Sequence, residues 1–160
     1  MAILLARSQL NLHTRCENQI VNEINREPIR PGDLLAAQDY RARYPYEQHR
    51  PTSPSRKYNC HGLSFANRRT WIKDASEIAK IVAEDDYVVV DVQDVLPGDI
   101  AVYYKDGDAE HSGIVVGLHK VQHLNVPVIL SKWGACHEVI HLVSQCPFDS
   151  RNVTYYRIDQ

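Results

Sequence analysis

The sequence predicts an α+β domain in which N-terminal helices pack on an antiparallel β-sheet meander. Three observations carry that expectation. Apolar residues recur at helical spacing over 9–27 and 60–84, the period shortens to that of a strand from Tyr87 onward, and turn residues separate the later segments. The chain has 160 residues and 18.3 kDa, the length of one domain. At that size folding buries on the order of 70% of the extended chain's surface, so a core forms without metal or disulfide staples.

In chain order, Leu12, Cys16, Ile20 and Ile24 predict a first helix within 9–27, ended by Pro28 and Pro31-Gly32. Residues 45–57 are proline-rich and polar and read as an extended surface loop. Leu63, Ala66, Trp71, Ala75, Ile78 and Val82 then predict one or two helices within 60–84, joined near Lys73-Asp74. Strands follow at 87–92, 99–104, 111–116, 126–131, 138–143 and 153–157, with Leu96-Pro97-Gly98-Asp99 as a turn and Asp106-Gly107-Asp108 as a tight hairpin connection. A single domain over 1–160 is expected, with 1–57 as an N-terminal extension or cap and 58–160 as the core. Tyr40, Tyr44 and Tyr46 either wall a cleft or extend that core.

Charge and composition exclude several classes of function. Eighteen Lys+Arg against 20 Asp+Glu give a formal charge of −2 and a pI near 6.4, with no electrostatic footprint for nucleic acid. No apolar run approaches the ~18 residues of a membrane span, so no membrane partner is expected. Met1–Ala6 is apolar, but Arg7 interrupts it short of the roughly seven residues of a secretory core. A cytoplasmic location, or export without a cleavable signal peptide, follows. The four cysteines, at 16, 60, 136 and 146, form no C-x-x-C pair and are expected to be reduced.

Two segments carry candidate chemistry. Asn59-Cys60-His61-Gly62-Leu63 puts a thiol where a polar loop enters a helix, beside unpaired backbone N–H groups that favour a thiolate and suit an oxyanion. The bland alternative is a small buried hydrophobe. Glu110-His111-Ser112-Gly113-Ile114-Val115-Val116 opens a strand with a histidine, the side chain that takes a thiol's proton near pH 7. Its bland alternative is a solvated turn residue.

Their order and context resemble the NlpC/P60 papain-like cysteine peptidases and the related CHAP amidases. Asn59-Cys60-His61-Gly62-Leu63 is similar to the family's Asp-Cys-Ser-Gly-Leu nucleophile motif. Leu96-Pro97-Gly98-Asp99-Ile100 looks like its Pro-Gly-Asp-Leu strand entry, and His111-Ser112-Gly113-Ile114-Val115-Val116-Gly117 like its base strand. The resemblance spans 58–117 and leaves 1–57 uncovered. It implies a papain-like core with Cys60 as nucleophile and His111 as general base, and Asn59, His61 and Ser131 are assigned to oxyanion or substrate contacts. Asn59 stands where the family has Asp, His61 where it has Ser, and Ser112 where it has Val.

The family's imidazole-orienting residue should fall near 129–134, which holds no histidine. Ser131 is one candidate, and Lys132 as a cation would repel an imidazolium. Strand alternation lets only one of the two face the site. His137 or His141 are the other candidates, with His141 placed first because Leu-Val follows it. The implied reaction is amide hydrolysis through a Cys acyl-enzyme, requiring no cofactor and no metal, on a peptide or peptidoglycan-like substrate. A toxin-like effector paired with an inhibitor or immunity protein is the variant of this reading. Deamidation and acyl transfer share the same thioester.

Two other classes compete. Cys136, His137, His141 and Cys146 gather zinc-type ligands within eleven positions. In a strand, however, His137 and His141 stand about 13 Å apart, too far to share an ion. An inactive papain-like scaffold serving as a binding or immunity module is the third class, against which the presence of both Cys60 and His111 argues.

Overall fold

The computed structural model describes residues 8–159, so the reading of Met1–Arg7 lies outside the described residues. It contains three helices, α1 (Pro31–Arg43), α2 (Cys60–Ala66) and α3 (Ala75–Glu84). Seven strands accompany them: β1 (Gln48–His49), β2 (Tyr87–Val90), β3 (Ile100–Lys105), β4 (Asp108–Val121), β5 (Leu124–Lys132), β6 (Glu138–Leu142) and β7 (Val153–Ile158). All seven join one antiparallel sheet in the order β1-β6-β5-β4-β3-β7-β2. The meander expected from the sequence exists from β3 to β6. The last strand then crosses back to lie beside β3, with β2 outside it. No helix among the described residues is long and apolar enough to cross a membrane.

The first expected helix is absent. Residues 9–27 are irregular, tied by isolated bridges between Ser8 and Ile24, His13 and Gln19, and Glu23 and Trp71. Asn22 explains the difference, because its amide takes over the role of backbone partners. Its Oδ1 accepts from the Leu10 N–H at 2.9 Å, while its Nδ2 donates to the carbonyls of Leu10 and Ile20. Local side-chain bonds of this kind compete with helix formation. Ile20 still reaches the core, and Cys16 stays exposed.

Pro31, expected to end a helix, begins one. As the first residue of α1 it forfeits an N–H that would have no partner in any case. Asp33 closes the turn by accepting from the Arg30 N–H at 2.9 Å. Residues 45–57 form a loop as expected, but one that turns at 45–46 and bends again at 56–57, and its two residues of β1 pair with β6. Helices α2 and α3 divide the 60–84 segment near the expected joint, each capped by an Asn or Asp side chain, Asn59 and Asp74. The β3–β4 hairpin turns at Asp106 and Gly107, both at positive φ (52° and 86°), the backbone a two-residue turn of this hand requires.

Strand alternation assigns side chains to two cores. Ile100, Val102, Ala109 and Tyr156 pack with Ala66, Ile78 and Ile81 under α2 and α3. Ala101, Tyr103, Val115, Ile129, Trp133, Val139 and Tyr155 form the core on the opposite face. Helix α1 covers that second face. Tyr40 and Tyr44 meet the Trp133 ring edge-on at 5.2 and 5.1 Å, so these two tyrosines extend a core, whereas Tyr46 is exposed.

Gly62 marks where α2 touches the loop before α3, since a Cβ there would run into the Thr70 carbonyl oxygen. Gly62→Ala is therefore expected to cost roughly 2–3 kcal/mol in urea denaturation. Gly32→Ala, at an open position in the first turn of α1, should be neutral or stabilising by about 0.5 kcal/mol.

Candidate functional site

Asn59 builds the entrance to α2. Its Oδ1 accepts from the Gly62 N–H at 2.9 Å and the Ile72 N–H at 3.2 Å, and its Nδ2 donates to the Ile72 carbonyl at 2.8 Å. A carboxylate would cap the helix equally well but has no hydrogen to give Ile72. That second duty accounts for Asn at the position where the resemblance has Asp. Asn59 is thus a structural clamp, with both its amide oxygen and its amide nitrogen bonded to backbone.

Cys60 opens α2 and is buried, at 8% exposure. Burial pushes its thiol up to about 11, against the pull of the backbone N–H groups of Ser112, His61 and Cys60 itself and of the Lys132 ammonium. At neutral pH the group is a thiol. Helix α2 packs on β4, the strand that carries His111.

His111 does not meet the sulfur. Ser112 faces α2, where its Oγ lies 3.0 Å from Ser64 Oγ and 2.8 Å from His61 Nδ1. The neighbouring residue consequently points to the other side of the sheet. The His111 ring stacks on Phe148 at 3.7 Å and 7°, with Tyr103 edge-on at 5.2 Å, inside the second core. Both of its ring nitrogens are buried and make no hydrogen bond with any described residue. Burial and the nearby His141 and His61 hold it neutral, well below the usual imidazole range. The direct Cys60–His111 hydrogen bond expected from the resemblance is not formed.

His141 and Ser131 lie on the His111 side and are occupied with each other. The Leu142 carbonyl can only accept, so His141 Nδ1 carries the proton, donating at 2.8 Å. Nε2 then accepts from the Ser131 hydroxyl at 2.7 Å, while Trp133 Nε1–H donates to the same Oγ at 3.0 Å. Neither residue therefore orients the His111 ring by hydrogen bonding, and Ser131 is on the face away from Cys60. His61 is neutral as well, with burial bringing it down to about 4, and its Nε2 donates to the Ala109 carbonyl at 3.3 Å.

Register brings a different set of groups to the sulfur's face. Gly113 pairs with Ser131, and Lys132 follows on the opposite side of β5, directed at α2. Lys132 is 1% exposed and donates to the carbonyls of Ser55 and Gly134, each at 2.6 Å, with the Tyr58 ring 4.8 Å from Nζ. Beside it Glu138 joins Tyr58 and Arg68, each at 2.6 Å. The sequence offers both Ser131 and Lys132 for this position, and sheet register selects Lys132.

The zinc-type residues disperse. His137 shares a hydrogen bond with His49 at 2.7 Å, Cys136 lies 3.8 Å from the Asp33 carbonyl, and Cys146 contacts the carbonyls of Val143 and Phe148. Among the described residues no three His, Cys, Asp or Glu side chains converge on a point that would hold a metal. A groove of about 970 Å³ begins at Ser64, one helical turn from Cys60 on α2, and runs over Ile100, Ile114 and Tyr156 toward β2. No family model, curated protein or solved structure matches this chain.

Asn59→Asp should weaken the fold by about 1–3 kcal/mol, by urea unfolding at pH 7, because it turns a carboxylate toward the Ile72 carbonyl. The histidines set an acid limit. His61 and His141 titrate near 4 when folded, against 6.5 for an ordinary imidazole, so between those values the unfolded chain holds more protons. Stability that is complete above pH 6.5 should therefore fall toward pH 4, by on the order of 1 kcal/mol per pH unit for each histidine. Chemical denaturation at pH 7.0, 5.5 and 4.5 measures that slope, and His111→Phe should reduce it.

Proposed function

We propose that the protein is a thiol hydrolase that attacks an amide carbonyl with Cys60 and proceeds through an acyl-enzyme, on an NlpC/P60-like plan. The observation that carries this reading is the position of Cys60. It is the first residue of a helix packed on the strand that bears His111, and the groove opens one turn along the same helix. The order of cysteine helix, strand entry and histidine strand agrees with the resemblance over 58–117.

In the reaction the sulfur bonds to the carbonyl carbon and the carbonyl π electrons move to oxygen, which needs N–H donors around it. Collapse of that adduct breaks the C–N bond, a proton goes to the departing amine, and water then cleaves the thioester. The apolar floor of the groove, Ile100, Ile114 and Tyr156, suits an extended peptide, and a bacterial cell-wall peptide is the substrate the resemblance suggests. Deamidation or acyl transfer follows if a different nucleophile reaches the thioester.

The packing of His111 between Phe148 and Tyr103 favours a second reading, an inactive scaffold used for binding. Incubation with p-nitrophenyl acetate separates the two. A hydrolase should release nitrophenol in a burst, carry an acetyl group on Cys60 by mass spectrometry, and lose both on Cys60→Ala while unfolding as the parent does. A folded wild-type protein with no acylated Cys60 at any pH from 6 to 10 rejects the hydrolase.

A further inference from the structure

Resting on the thiol-hydrolase reading, we infer that Lys132, not a histidine, is the group that takes the proton from Cys60, making the working pair a cysteine and a buried lysine. Geometry leads to this. The imidazole assigned by resemblance is across the sheet, and His61, although next in sequence, has both ring nitrogens engaged, by Ser112 Oγ and the Ala109 carbonyl. His141 is likewise saturated by Ser131 and Leu142. Lys132 is a basic side chain on the sulfur's own face of the sheet, with Nζ held 4.8 Å from the ring of Tyr58, two residues before Cys60, and its ammonium favours the thiolate.

The surroundings of Nζ suit an amine that exchanges one proton. Carbonyl oxygens only accept, so Ser55 and Gly134 hold two of its three N–H bonds and would hold both hydrogens of the neutral amine. No third hydrogen-bond acceptor contacts Nζ among the described residues, so its remaining position, beside the Tyr58 ring, is not tied to a protein oxygen. The charged and titratable groups facing it are Cys60 from α2, Tyr58 from the preceding loop, Glu138 from β6, Cys136 and His137 from the turn after β5, and Asp33 from α1. Glu138 is already neutralised by Arg68, so it does not lock Lys132 into an ion pair. Burial dominates and brings the ammonium down to about 8, within reach of mildly alkaline water.

The step balances without a cofactor. The neutral amine of Lys132 accepts the Cys60 S–H proton, the thiolate forms its bond to the carbonyl carbon, and the resulting ammonium returns the proton to the amine that leaves when the C–N bond breaks. A second such cycle, with water as nucleophile, restores the thiol.

The pH profile of Cys60 acetylation by p-nitrophenyl acetate tests this assignment. The wild-type burst rate should rise through an inflection near pH 8 and level above it. Lys132→Arg keeps a positive charge but surrenders no proton in that range, and Lys132→Met keeps the stem without the charge. Both should lower the burst at least tenfold and abolish the inflection, whereas His111→Gln should leave the inflection in place. Circular dichroism and urea unfolding confirm that each variant is folded. A wild-type profile flat between pH 7 and 9 overturns the role of Lys132 without any variant, as does a folded Lys132→Met with an unchanged burst. Loss of the inflection in His111→Gln alone returns the role to the histidine. Absence of acylated Cys60 in the wild type rejects the hydrolase together with this pair.

Discussion

Successive side chains on a strand point to opposite faces of the sheet, and on β4 and β5 that alternation decides which groups share a compartment with Cys60. Ser112 and Lys132 project toward α2, while His111 and Ser131 project into the core capped by α1 and Phe148. Registers on both sides of β4, Tyr103 with His111 and Gly113 with Ser131, hold the division in place. A slip by one residue would exchange the two sets. It would also turn Val115 and Ile129 out of the core they fill, so hydrophobic packing fixes the electrostatics of the site.

Within this frame the polar groups of the interior are satisfied mostly in pairs and short chains. Trp133, Ser131, His141 and the Leu142 carbonyl form one chain, and Ser64, Ser112, His61 and the Ala109 carbonyl form another, on opposite faces of the sheet. Each takes a neutral histidine whose two nitrogens have one donor and one acceptor role. His111 departs from this, with two buried nitrogens and only ring contacts, and His137 Nδ1 is likewise buried without a hydrogen-bond partner among the described residues. Stacking on Phe148 compensates part of the His111 desolvation, and the neutral form keeps its cost far below that of a buried imidazolium.

Residues 8–57 divide between the two faces. Helix α1 seals the second core with Tyr40 and Tyr44, and Arg56 grips Asp33 at 2.7 and 2.8 Å to bind the following loop to that helix. The loop itself runs along β6. Its backbone reaches Glu138 and Ala135, and its Ser55 carbonyl receives Lys132. A loop read from composition as polar and unburied thus supplies an acceptor for the buried Lys132 cation on the face that α2 covers, so it belongs to the environment of the candidate site.

Much of the local architecture was legible in the residues. Tyr87–Val90, Ile100–Lys105 and Val153–Ile158 are strands because β-branched and aromatic residues occur between turn residues, and apolar residues at helical spacing over 60–84 announce two helices joined near Lys73-Asp74. Residues 9–27 misled because four-residue apolar spacing says nothing of Asn22, whose amide replaces the backbone bonds a helix would need. Pro31 misled because the same missing N–H that ends a helix in its interior is harmless at its first position. At the site, sequence alone determined that a cysteine begins a helix and that His111 and Ser131 lie in strands, with Lys132 next along the chain. Only the tertiary structure decided which of them shares the sulfur's side of the sheet, because facing depends on pairing between segments distant along the chain and on which apolar set the sheet buries beneath which helix.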